Sequence, residues 1–118
     1  AEYSKAVLDG RPQFHINLVI DVSPYCDCHA ENDVPIVPDV GMFASFDPVA
    51  LDQACADACQ AQPIMGGSLL DDNMKAPGFV DHGDIFTNTT PESEWESCLA
   101  HAEKIGLGVR EYEVKVIK

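Results

Sequence analysis

The densest group of side chains able to do chemistry is Cys26-Asp27-Cys28-His29, followed by Glu31 and Asp33. Thiolate, imidazole and carboxylate are the donors from which zinc and iron sites are built. With His29 or Asp33 added to Cys26 and Cys28, a turn could gather three or four ligands from one short loop. Three readings stay open: two structural cysteines in a rigid loop, a metal or cluster site, and a redox pair. The redox pair ranks last, because a disulfide across one intervening residue is strained.

Two further groups carry weaker signals. Cys55 and Cys59 stand four residues apart on one helical face, a spacing that can hold a metal. They lie among alanines, however, and cysteine packs as a small hydrophobe. Asp39 and Asp47 flank an apolar segment and Asp21 ends another, so acids at strand ends could share a cation. Each also has a structural use: Asp47 as a helix cap, Asp39 as a loop-setting acceptor. Asp52 follows on the helix that Asp47 opens. Among the histidines, His15 falls within a strand, His101 on the polar side of a helix, and His82 in a loop from which it could face a site.

These groups need elements to hold them. Residues 2–8 read as the end of a helix stopped by Gly10 and Pro12. Residues 14–22 are β-branched and nearly continuously apolar, which predicts a strand in a sheet covered on both faces. The cysteine loop leaves the carboxyl end of this strand, where open α/β sheets place their sites. It belongs to a long polar segment, 24–38, without periodicity. A second short strand is expected at 40–45. Asp47 and Pro48 then cap and start a helix to about residue 62, and Pro63 and Gly66-Gly67 end it. A short helix near 69–74 is weakly signalled, and 84–87 reads as extended. Thr90 and Pro91 are expected to start a last helix with Trp95, Cys98, Leu99, Ala102 and Ile105 at helical spacing and Gly106 or Gly108 as its stop. Residues 109–117 alternate and predict a final strand near a sheet edge. The order predicts an α/β fold: a small mixed or parallel sheet with two main helices, forming one domain and belonging to a larger α/β fold.

Charge narrows the function classes. Seven Lys and Arg face twenty Asp and Glu, a net charge of −13 over 118 residues. That argues against nucleic acid or an anionic membrane as the main partner. Between Arg11 and Lys75 there is no Lys or Arg and there are ten acids. A cation, a basic partner, helix N-termini or plain solvation must neutralise them. Five cysteines without a secretory signal predict reduced thiols in a cytoplasmic protein. No phosphate-cradling loop, nucleophile elbow or ferredoxin-type cysteine run occurs.

Three stretches carry a resemblance: Cys26-Asp27-Cys28; Pro35-Ile36-Val37-Pro38-Asp39-Val40-Gly41; and Ala44-Ser45-Phe46-Asp47-Pro48-Val49-Ala50-Leu51-Asp52-Gln53-Ala54. They resemble the C-terminal part of the uncharacterised Fe–S center proteins, which carry domain of unknown function 362. The ending, with Trp95, Leu99, His101, Ala102, Glu103, Gly106, Leu107, Gly108, Glu111 and Tyr112, is similar to the family's tail. The resemblance implies a prokaryotic protein, often from an anaerobe, of which this chain is a C-terminal segment. It also implies 4Fe–4S clusters in an upstream segment only. Cys26 and Cys28 match the family's Cys-Asp-Cys motif; Cys55 and Cys59 match none.

The expectation is therefore a redox-linked iron–sulfur protein of unknown reaction. Iron or zinc is expected at Cys26 and Cys28, with His29 and Asp33 as further ligands. Asp27, Asp39, Asp47, Asp52 and His82 are additional site candidates. The partners expected are the N-terminal part of the same protein or a second copy. The competing expectation is an interaction domain that packs on those partners and holds no metal of its own.

Overall fold

The computed structural model describes residues 1–26, 28–30 and 33–117. Its elements run α1 (Glu2–Leu8), β1 (His15–Val19), β2 (Gly41–Ser45), α2 (Pro48–Gln60), α3 (Leu69–Lys75), α4 (Ile85–Thr89) and α5 (Trp95–Lys104). The fold is mixed α/β, as the pattern predicts, and β1 and β2 form a two-stranded antiparallel sheet. The chain divides into two compact units: residues 1–18, 42–58 and 95–118, and residues 19–41 and 59–94.

In the first unit, Val49 of α2 packs with Leu99 and Ala102 of α5, and Trp95 and Leu107 close over them. Asp47 starts α2 as its composition predicts, with Oδ1 accepting from the amides of Val49 (2.8 Å) and Ala50 (3.0 Å). Its other oxygen accepts from the amide of Val109 at 2.9 Å, which ties the C-terminal segment to the start of α2. That approach requires Gly108, because a Cβ there would run into the Asp47 carboxylate. α5 ends in a Schellman turn: Leu107 N–H donates to the Ala102 carbonyl, Gly106 N–H to that of Glu103, and Gly106 takes a left-handed φ of 75°.

In the second unit, Ile36, Val37 and Leu70 are fully buried. Ser68 caps α3 by accepting from the Asp71 amide, and α3 packs on α4. Asn73 links them by donating to the carbonyls of Asn88 (3.1 Å) and Thr89 (3.0 Å).

Three expectations change. The stretch 84–87 is helical, because the Asp84 carboxylate accepts from the amides of Phe86 and Thr87, both at 2.9 Å, and opens α4. Thr90 does not start the last helix: it is the C-cap of α4, its hydroxyl donates to the Pro24 carbonyl, and α5 begins at Trp95. Residues 109–117 form no strand. Their first part is held by side chains instead: Arg110 N–H donates to Glu103 and its Nε to Gln53, and the Tyr112 hydroxyl donates to Asp57.

β1 is shorter than its apolar run, and its burial alternates. His15 and Asn17 take the covered side; Ile16 and Leu18 face out at 55% and 62% exposure. On β2, Met42 is 69% exposed, and Phe46 just beyond it 75%. The Phe14 and Phe46 rings meet at 5.2 Å where the start of β1 adjoins the end of β2. The sheet is thus covered on one face, with an apolar second face in water.

Candidate functional site

The cysteine loop is organised by short-range contacts. His29 N–H donates to the Cys26 carbonyl at 2.9 Å, closing a turn. The Tyr25 and His29 rings stack across it, centroids 4.8 Å apart at 24°. Ser23 Oγ donates to the Tyr25 carbonyl at 2.6 Å. Cys26 and Cys28 are both exposed. Their side chains are hydrogen-bonded to each other, and this bond, with the repulsion between two thiolates, raises the Cys28 pKa above the ordinary thiol value. Removing both protons is thus unfavourable without a cation to bind the pair. The turn presents two soft donors side by side in solvent, half the ligand set of a tetrahedral zinc or iron site.

The other candidates go elsewhere. Asp27 lies outside the described residues, as does Glu31. Asp33 accepts from the Val34 amide at 2.7 Å. The His29 ring is occupied in the stack with Tyr25. Asp39 accepts from the Asp21 amide at 2.9 Å and so steadies Asp21, the one described non-glycine residue with positive φ (48°). Asp47 is the cap and tether described above. Asp52 accepts from Asn17 Nδ2 at 2.8 Å, and the same amide reaches the Cys55 sulfur at 3.7 Å. Partial burial raises the Cys55 pKa, so this thiol stays protonated, while Cys59 is buried. Among the described residues, no three His, Cys, Asp or Glu side chains stand together as a metal-holding group.

His82 does face a cavity. A pocket of about 420 Å³ in the second unit is lined by Tyr25, Asn73, Phe79, His82, Asn88 and Thr90, among others. Its floor is an amide network: Asn88 accepts from the His82 amide at 2.8 Å and donates to Asp81 at 2.9 Å. The Asn88 amide and the Gly83 N–H hold the Asp81 pKa below the usual carboxylate range. Tyr25 belongs to both the cavity wall and the cysteine turn, a role sequence reasoning missed. Asn73 and Asn88 were missed too, since an asparagine in a polar stretch has no local signature. The one usable signal was the aromatic residue next to the first cysteine.

Residues 1–57 match the family model described as domain of unknown function (DUF362). The matched span takes in the cysteine turn, both strands and most of α2, and it leaves out the ending at 95–112. No curated protein matches the chain. No solved structure matches it either. Among the described residues, no helix is long and apolar enough to cross a membrane.

Proposed function

We propose that the turn carrying Cys26 and Cys28 is the thiolate corner of a metal site in a redox-linked iron–sulfur protein. The observation that supports this reading is the hydrogen-bonded contact between the two exposed thiols. Two thiols this close resist double deprotonation, and a zinc or iron cation would relieve that repulsion by binding both. Cys26 and Cys28 would supply two donors, with the rest coming from other parts of the polypeptide or a partner. Iron would bring one-electron chemistry, and zinc a structural tie. The protein residues hold the pair in register through the His29–Cys26 backbone bond and the Tyr25–His29 stack.

The test is reconstitution under anaerobic conditions with iron(II) or zinc(II), followed by metal analysis and visible spectroscopy. We expect bound metal that is lost in the Cys26→Ser, Cys28→Ser double variant, and thiolate-to-iron absorption when iron is used. A chain that stays metal-free, or a double variant that binds as well, would refute the reading.

A second reading is favoured by a different observation. The uncovered sheet face, with Phe14, Ile16, Leu18, Met42 and Phe46, suits a domain that packs on the rest of its polypeptide. The cysteine turn is then architectural. Sizing with and without chelator separates the two readings: packing is indifferent to chelator, and a metal-tied assembly is not.

A further inference from the structure

The segment after Tyr112 is the least engaged part of the first unit. Among the described residues, 113–117 adopt no helix, strand or turn and make no backbone hydrogen bond. Val114, Val116 and Ile117 are 55%, 74% and 89% exposed. The contrast with the residues just before is sharp, since Val109, Arg110 and Tyr112 are all tied to side chains of α2 or α5, or to the Asp47 cap. Yet 112–117, Tyr-Glu-Val-Lys-Val-Ile, has the composition of a strand. It is a β-prone segment that pairs with no strand among the described residues, and such a segment pairs with whatever edge it meets.

The order of its charges says what that edge is. In an antiparallel pair of two identical segments, residues equidistant from the centre face each other across the strands. With the centre at Val114, Val114 meets its counterpart, Tyr112 meets Val116, and Glu113 meets Lys115. The two Glu–Lys pairs fall on one face of the ribbon, and the Tyr–Val, Val–Val and Val–Tyr pairs on the other. Moving the centre to Lys115 opposes Lys115 to itself, and moving it to Glu113 opposes Glu113 to itself. One register alone among these three pairs opposite charges and stacks the apolar side chains together.

We infer that two copies of this chain associate through their C-terminal segments, as an antiparallel two-stranded ribbon with its twofold axis at Val114. The association is isologous, so each copy offers the same strand and the same charge pattern. It is a weak contact, because a lone two-stranded ribbon is marginally stable in water and both partners are strongly acidic. The inference is independent of the metal reading, since it uses no residue of the cysteine turn.

Charge exchange is the decisive experiment. Sedimentation velocity of the chain from about 10 µM to about 1 mM should show a concentration-dependent dimer. Lys115→Glu places like charges opposite each other twice and should weaken the dimer about tenfold. Glu113→Lys should weaken it similarly, although it makes the net charge less negative and so reduces general repulsion. The double exchange, Glu113→Lys with Lys115→Glu, should restore the wild-type constant. Under mild oxidation Val114→Cys should form a copy-to-copy disulfide between the two residues at position 114, identified by peptide mapping. A chain that is monomeric throughout this range overturns the inference. So does a dimer indifferent to the single exchanges, as association through the exposed sheet face would be, or a double variant that stays weakened.

Discussion

The two faces of the β1–β2 sheet invert the usual pattern, with polar side chains on the covered face and apolar ones in water. The covered face holds His15 and Asn17, and Asn17 is bonded to Asp52 on α2. The face in water holds Ile16, Leu18 and Met42. A strand shaped only by the packing within its own unit would show the reverse, since burying an aliphatic side chain is worth about 1.5–3 kcal/mol and burying an amide costs unless it is bonded. The covered face of β1 thus carries two polar side chains held by hydrogen bonds, beside the buried Val19. The other face is the apolar one, and it is the one left in water.

The comparison can be broken most forcefully in the interior layer. Leu99→Ala, within the α2–α5 core, should cost about 2–5 kcal/mol in chemical denaturation. Leu18→Ala on the outer face should cost under about 0.5 kcal/mol. If Leu18→Ala proves as costly as Leu99→Ala, the outer face is covered in solution. Next comes Asp47→Ala, which removes a cap and the tether to Val109 and should cost about 1–3 kcal/mol. Asn17→Ala, on the polar side of the sheet, should cost about 1 kcal/mol; a neutral result would mean that the polar layer is ornamental.

The smallest effect is a pH dependence. The hydrogen bond to Asp57 raises the Tyr112 pKa above that of a free phenol. Its folded value lies above its unfolded one, so the bond's contribution is complete below the unfolded value, near 10, and is lost as pH rises through the folded value. Ultraviolet titration should show one of the three tyrosines ionising late, and Tyr112→Phe should remove that step. Simultaneous ionisation of all three would show that the tail is not held on α2.

What could be read from residue order was whatever is decided within a few residues. Asp47-Pro48 set the start of α2 and Gly106 the end of α5, because caps and left-handed stops act over one turn. The Cys26–Cys28 turn was visible as a group, and its closeness is local. What escaped depends on distant partners. Thr90 resembles a cap, but its hydroxyl is taken by Pro24, sixty-six positions away. Asp84 sits before β-branched residues that favour a strand, and its two amide bonds outweigh that preference. The alternation of 109–117 was legible as strand chemistry, but a strand needs an edge, and alternation does not say whose. Asp33 and His29 follow the same logic: each is engaged by a neighbour, Val34 or Tyr25, that proximity in sequence to the cysteines did not reveal as a competitor.

Four of the ten acids between Arg11 and Lys75, left in search of a counterion by the composition, are met by the main chain. Asp33, Asp39, Asp47 and Asp71 each accept from a backbone amide, and Asp81 and Asp84 do the same just beyond Lys75. What the turns use is an oxygen in the right place, and asparagine offers that oxygen without the charge. Charge and architecture are thus separable properties of this chain. Asp→Asn exchange at Asp33, Asp39, Asp71, Asp81 and Asp84 removes five negative charges and takes the net charge from −13 to −8 while keeping an acceptor at each turn, so part of the acidity can be set by design, apart from the fold.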